Sequence, residues 1–342
     1  MSQNNGYLNQ YPQAPVRKKG HGWIIALIVG GSVILLAIFA LIFFAFLFLF
    51  SNAGSSGPRY TGSEGYIAVL HIEGTITSTT SSSFLSSGSP YNQEYLMSTV
   101  DTLMDDSANK GIMLYIDTPG GEVYATDELY LKLEEYKETT DRPIYAYCAS
   151  MAASGGYYIA ASSDKILMNR NCLTGSIGVT AGTSIDISGF LEKQGIKTTS
   201  IYVGKNKTMG SYFEEFTAEQ KEIYLGILQE TYDQFIQVVA DGRSMTTDEV
   251  VALADGRIYS PKQALSNGLI DGIMTFDEAM YTMVEDNGLS YDVQFLNYEP
   301  VQAIGLSDLL GILSDYKKTD LDTYLSYLDM PVDGPAYYYE GP

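Results

Sequence analysis

Twenty-eight consecutive residues, Trp23–Phe50, carry no formal charge and are dense in Ile, Leu, Phe and Ala. About 20 apolar residues in a helix cross a bilayer core, so the run predicts a transmembrane helix with length to spare for tilt. The apolar region of a cleaved secretory signal is shorter, roughly 7 to 15 residues, so the length predicts a retained anchor. Arg17, Lys18 and Lys19 stand just before it, and basic flanks stay on the cytoplasmic side. The expected topology puts residues 1–22, a polar tail rich in Asn, Gln, Tyr and Pro, inside. Everything after about Ser51 is expected outside the cell.

The chain beyond the anchor has a different character. The first 50 residues hold three basic and no acidic side chains, which leaves 17 Lys and Arg against 41 Asp and Glu for the rest. Such a surface repels nucleic acid and anionic head groups, so nucleic-acid binding is set aside. Residues 51–65 are a Gly/Ser/Pro linker, expected to hold the domain away from the membrane. Ser78–Pro90 (STTSSSFLSSGSP) is a second low-complexity stretch, expected as a surface loop. The two cysteines, Cys148 and Cys172, do not make a disulfide framework and are expected as small core side chains.

Between about Tyr66 and Tyr298 the pattern alternates strand and helix. Short β-type runs are expected at Tyr66–Ile72, Gly111–Asp117, Pro143–Cys148, Lys165–Asn169 and Lys197–Val203. Helices are expected at Glu122–Thr139 and at Thr217–Gly242, the second with Thr217 as N-cap and Gln220 at the capping-box position. This alternation argues for an α/β domain with largely parallel strands.

The chemistry starts from a shortage. The only histidines are His21, beside the anchor, and His71, inside the first strand. A Ser–His–Asp triad would depend on His71 alone, and zinc loses its usual imidazole ligands; neither a metal nor a cofactor is expected. Two small-residue turns follow strands instead: Thr118-Pro119-Gly120-Gly121 and Ala149–Gly156 (ASMAASGG). In α/β sheets ligands gather where strands end and helices begin. Glycines there let backbone N–H groups approach a substrate, as an oxyanion hole requires. Ser154, between Ala and Gly at a predicted helix start, would present its hydroxyl unobstructed. Without histidine its base would be a lysine whose pKa falls from about 10.4 toward neutrality, a preference of roughly 4 kcal/mol for the free amine. Lys205 and Lys207 both follow the predicted strand Lys197–Val203, and the residues alone do not choose between them. Asp117 is expected to end a strand and cap a turn, and Asp255-Gly256-Arg257 to form a turn with a salt bridge.

Four segments together resemble the signal peptide peptidase A family: DTPGGEV (Asp117–Val123), ASGGYYIA (Ala153–Ala160), LTGSIGV (Leu173–Val179) and ADGRIYSPKQALSNGLID (Ala254–Asp271). The likeness covers about Tyr66 to Asp286, and the single anchor and one-copy length resemble the short, Gram-positive-type members. The resemblance implies Ser154 as nucleophile and, from a G-x-x-K pattern met by Gly204 and Lys207, Lys207 as general base. It further implies Ser176 as the residue that orients the lysine, with the backbone N–H groups of Gly121 and Gly155 as oxyanion donors. Relatives often carry a third glycine after P-G-G; here the position is Glu122.

The fold implied is the ClpP/crotonase-like α/β spiral of strand–helix units behind an N-terminal transmembrane helix. The protease domain would occupy residues 66–307 and a C-terminal extension 308–342. The resemblance also implies a homo-oligomeric ring and apolar peptide substrates such as remnant signal peptides. Two rival readings stand beside it. An acyl-CoA enzyme on the same fold would need a cytoplasmic site, against the predicted topology. A membrane-tethered peptide-binding or immunity protein would need no catalysis. The terminal GPAYYYEGP is expected as an extended tail able to enter a cleft.

Overall fold

The computed structural model describes residues 60–78, 91–182 and 184–299, together with residue 58 and the helical positions Gly30, Leu36, Ala40 and Leu41. The rest of the expected anchor lies outside the described residues, as do residues 79–90 of the Ser-rich stretch and the C-terminal extension. Among the described residues no helix is long and apolar enough to cross a membrane. The chain divides into two compact units, Met1–Ser56 and Gly57–Pro342; the described strands all belong to the second.

In chain order the elements of that second unit are β1 (Tyr66–Glu73), α1 (Gln93–Asp105), β2 (Asn109–Thr118), α2 (Val123–Thr140), β3 (Ile144–Ala153), α3 (Gly155–Ala160), β4 (Lys165–Met168) and β5 (Leu173–Gly175). After them come α4 (Ser188–Lys193), α5 (Ala218–Arg243), α6 (Thr247–Val251), β6 (Ile258–Tyr259), α7 (Pro261–Ser266), β7 (Gly272–Ile273), α8 (Phe276–Asp286) and β8 (Gln294–Tyr298). The described strands form one sheet in the order β6-β5-β3-β2-β1-β8, with β4 bridging β3 and β7. Every pairing is parallel except β5 with β6.

Central parallel strands are covered on both faces and so read as nearly unbroken apolar runs, as YIAVL in β1 and IML in β2 do. One face carries Ala68, Leu70, Ile72, Leu114 and Ile116 under α1, α2, α3 and α5. Helix α1 meets it with Leu96, Val100 and Leu103, and α2 with Ala125, Leu129 and Leu133, at spacings of one and two turns. The opposite face carries Ile67, Val69, Met113 and Leu167 under α8, which contributes Ala279, Met283 and Val284. Each such Val, Leu, Ile or Met side chain adds about 1.5–3 kcal/mol by leaving water, so the sheet is a rigid base for the turns at its C-terminal edge.

Helix α5 starts as expected, with Thr217 and Gln220 exchanging both bonds of a capping box. The expected strand at Lys197–Val203 is not formed. That segment is irregular, and Ile201 and Val203 are each 96% exposed. Its β-branched residues have no partner strand among the described residues, and without one the alternation specifies nothing. Strand β8, parallel to β1 through Tyr66–Leu70 against Gln294–Tyr298, was not anticipated.

Candidate active site

Strand β3 is shared between two neighbours. Its first half pairs with β4 and its second half, Met151–Ala153, with β5 at Leu173–Gly175. The buried Thr174 hydroxyl donates to the Ala152 carbonyl at 2.6 Å and fixes that second register. One residue on, the Ser154 N–H donates to the Gly175 carbonyl at 2.8 Å, while the Ser154 carbonyl already accepts from Tyr157 and Tyr158 of α3, both at 3.0 Å. Held by the strand on one side and the helix on the other, Ser154 takes φ 54° and ψ −120°. A non-glycine residue in such a conformation costs about 1–3 kcal/mol and persists only where its surroundings overdetermine it. Ser176 follows Gly175 directly, also has a positive φ of 52°, and is anchored by its N–H to the Arg257 carbonyl at 2.7 Å. The β3–β5 register thus sets Ser154 and Ser176 side by side at two adjacent strand ends.

The second turn lies against the first. Gly120 has φ 97°, and a Cβ there would stand 2.7 Å from the Gly155 nitrogen and 2.9 Å from the Ser154 Cβ. The buried Thr118 shapes this turn: its hydroxyl donates to the Gly74 carbonyl and accepts from the Gly120 N–H at 3.0 Å. Beyond it, the Ile76 N–H donates to the Gly120 carbonyl at 3.0 Å and the Ile76 carbonyl accepts from the Glu122 N–H at 2.9 Å. In extended chain successive peptide groups point to opposite sides. The Gly121 N–H therefore points away from Ile76, and Gly121, Ser154 and Gly155 line one pocket. A side chain at position 121 is excluded, since its Cβ would sit 1.9 Å from the Ile76 carbonyl oxygen.

The pocket wall is mainly apolar, with Val123, Val179, Tyr158 and Phe235. Among the described residues that line it, none carries a basic side chain. The Tyr158 hydroxyl donates to Asp127 at 2.6 Å and accepts from Gln234 at 2.9 Å. Burial pushes the phenol pKa of Tyr158 up, and the nearby Asp127 adds to this, so it stays protonated and offers no base. His71 lies on the α8 face of the sheet, bonded to Glu73 at 3.0 Å and Asn297 at 3.1 Å and packed on Tyr115. Asp117 accepts from the Met151 N–H at 3.1 Å, tying the two turns together. Asp255 and Arg257 form the expected ion pair. Among the described residues no cluster of His, Cys, Asp or Glu could hold a metal ion.

The two candidate lysines lie in an exposed turn before α5. Lys205 pairs with Glu219. Lys207 donates its backbone N–H to the Gly204 carbonyl at 3.0 Å, and among the described residues no hydrogen bond or ion pair engages its ammonium group. Ser154, Gly121 and Gly155 are thus brought together with Ser176 adjacent, whereas Lys207 does not line the same pocket. Sequence reasoning missed the contribution of α5, whose Thr231, Gln234 and Phe235 complete the wall. Their i, i+3, i+4 spacing, one face of a helix, was the available signal.

The sequence model of peptidase family S49 matches residues 137–290. A protein of Enterococcus faecium named for signal peptide peptidase SppA is 34% identical over 80% of this chain and 81% of its own length. Protease 4 of Haemophilus influenzae is 28% identical over 78% of this chain and 42% of its own length. The chloroplastic serine protease SPPA of Arabidopsis thaliana is 31% identical over 62% of this chain and 31% of its own. The strained serine between two glycine turns thus sits in a sequence that these proteases share over most of its length: the chain belongs to peptidase family S49 and is a serine peptidase homologous to the SppA proteases.

Proposed function

We propose that this peptidase is held in the cell membrane by Trp23–Phe50, with its catalytic domain outside the cell, and hydrolyses apolar peptides such as remnant signal peptides. Ser154 is the nucleophile and neutral Lys207 the base, oriented by Ser176. The hydroxyl proton passes to the amine as Oγ attacks the peptide carbonyl. The oxyanion is received by the N–H groups of Gly121 and Gly155. The protonated amine then returns its proton to the leaving nitrogen, and water releases the acyl group from Ser154 by the same route. The observation that carries this reading is the placement of a strained, half-buried Ser154 between two glycine turns over an apolar pocket.

The described lining of that pocket holds no base, and in this reading the lysine that completes it is supplied by a second copy of the chain. Support lies in the segment that carries it. Ile196, Ile201, Tyr202, Val203, Tyr212 and Phe213 around Lys207 are all exposed, as are Leu225 and Ile227 at the start of α5. Apolar surface of this extent marks an interaction site, and a closed ring of copies would cover it.

The test uses the full chain in detergent and an apolar peptide. Ser154→Ala and Lys207→Ala should each abolish cleavage, while Lys205→Ala retains it. Mixing the two inactive variants should restore part of the activity, because some Ser154 sites then meet an intact Lys207 from a neighbour. No recovery in demonstrably mixed oligomers would place both groups in one chain. Full cleavage by Ser154→Ala would remove Ser154 as the nucleophile, whereas loss of cleavage with retained protection of cells against a peptide antibiotic would favour a peptide-binding role over catalysis.

A further inference from the structure

The carboxylate of Glu122 has no role in the chemistry just described, yet between the pocket-lining Gly121 and Val123 it accepts three hydrogen bonds. It accepts from the Ser78 N–H at 2.7 Å, from the Ser78 hydroxyl at 2.6 Å and from the Thr77 hydroxyl at 3.1 Å, across 44 and 45 residues of sequence. Although Glu122 is the N-cap residue of α2, its side chain makes no cap bond; it is turned to the 77–78 segment instead. The Ser78 hydroxyl and N–H hold its pKa below the ordinary carboxylate value, so it is charged at neutral pH and its bonds are charge-assisted.

The segment it grips runs directly on from the end of β1 and carries the fully buried Ile76. Strand β1 ends at Glu73, and among the described residues Ile76 pairs with the sheet backbone through an isolated bridge to Gly121. On its upstream side the segment is tied by the Gly74 N–H to the Asp117 carbonyl at 3.0 Å and by the Thr118 hydroxyl to Gly74. On its downstream side Glu122 adds a tie through Thr77 and Ser78. The two Ile76 bonds that fix the plane of the Gly121 peptide lie between these anchors.

We propose that Glu122 is a positioning residue for the oxyanion donor: its carboxylate clamps Thr77 and Ser78 so that Ile76 holds the Gly121 N–H aimed at the carbonyl under attack by Ser154. This rests on the peptidase reading above. Oxyanion donors act through preorganisation, and removing one outright costs roughly 10²–10³ in kcat. Loosening one should cost less. The effect should fall on the transition state and not on substrate binding, because Glu122 grips the chain and not the peptide.

The experiment compares wild type, Glu122→Ala, Glu122→Gln and Ser78→Ala as full-length protein in detergent, with active sites titrated so that rates refer to folded enzyme. The probes are an apolar peptide substrate and a peptide aldehyde, whose adduct with the Ser154 oxygen places an oxygen where the oxyanion forms. For Glu122→Ala we expect kcat down about tenfold, KM within about twofold, and aldehyde affinity weakened in step with kcat/KM. Glu122→Gln, which keeps one carbonyl oxygen for Ser78, should recover most of the loss. The double variant with Ser78→Ala should be no worse than Glu122→Ala alone, since both remove one clamp. Unchanged kcat and aldehyde affinity in Glu122→Ala would overturn the assignment, as would a rise in KM at constant kcat, the mark of a substrate contact. A wild type that forms no adduct at Ser154 would instead overturn the peptidase reading beneath it.

Discussion

The backbone N–H of Ser154 donates to the carbonyl of Gly175, and this 2.8 Å bond continues the β3–β5 ladder one residue into what is already the first turn of a helix. The conflict between strand and helix is resolved at Ser154 itself, with φ 54° and ψ −120°. Glycine relieves most of such strain because it has no Cβ. Ser154→Gly should therefore be more stable than Ser154→Ala by about 1–2 kcal/mol, and on the proposed mechanism neither should cleave peptide. Denaturant midpoints of the two variants give the answer, and equal midpoints would mean that the conformation carries no strain.

Gly121 faces the opposite constraint, a shortage of space and not of conformational freedom. The Ile76 carbonyl oxygen would lie 1.9 Å from any Cβ placed there. Gly121→Ala must push Ile76 away, break its bonds to Gly120 and Glu122, and rotate the 121 peptide. We expect kcat to fall by about 10²-fold or more, comparable to loss of an oxyanion donor. The melting temperature should fall as well, because Ile76 is fully buried in the larger core, so kcat is referred to titrated active sites. Retention of near wild-type kcat would show that Gly121 N–H does not meet the oxyanion.

How far the sequence revealed this site depends on the range of the interactions involved. The turns at Gly120–Gly121 and Ser154–Gly155 were legible because strand, small-residue turn and helix are contiguous and each carries its own local pattern. The Thr217 capping box was legible for the same reason, being complete within four residues. Glu122 was visible only as a departure from a glycine, since its partners Thr77 and Ser78 lie 44 or more residues away. Strand β8 was missed because QFLNY is half exposed, and its identity depends on pairing with β1 from the far end of the domain. The strand expected at Lys197–Val203 failed for the converse reason: its local pattern was present and its partner was not.

The last stretch of the Ala254–Asp271 segment supports the sheet from behind. Arg243, whose side chain is only 8% exposed, closes α5 by a two-pronged contact with Asp271 at 2.7 and 2.9 Å and by a bond to the Gly268 carbonyl at 2.9 Å. Asp271 also accepts from the Ile166 N–H at 2.7 Å, which ties the pair to β4. Asp271→Ala leaves a buried guanidinium without its counter-charge and should cost about 3–5 kcal/mol. Asp271→Asn keeps an acceptor for Ile166 or for Arg243 and should cost less. Urea unfolding of the two variants checks both the size and the order, and an Asp271→Ala loss under about 1 kcal/mol would assign the pair to the solvated surface.

Cys148 and Cys172 are buried free thiols in the core beneath the Ser154 turn. Burial raises both pKa values, that of Cys172 to about 12, with the nearby Asp117 adding to it. The thiolate is the reactive form, so at pH 8 the native protein should react with an aromatic disulfide reagent only as fast as it unfolds, and should release two equivalents once guanidinium is added. The sign of the linkage comes from the same shift. A thiol whose folded pKa lies above its unfolded value of about 8.5 holds its proton in the native state after the unfolded chain has lost it. Stability is then unaffected below about pH 8 and declines as pH rises from there toward 12. Midpoints measured from pH 7 to pH 10.5 should fall across that window, and Cys172→Ala, though less stable at pH 7, should show a shallower fall. Rapid labelling of the native protein at pH 8, or an equal slope in the variant, would contradict a buried, protonated pair.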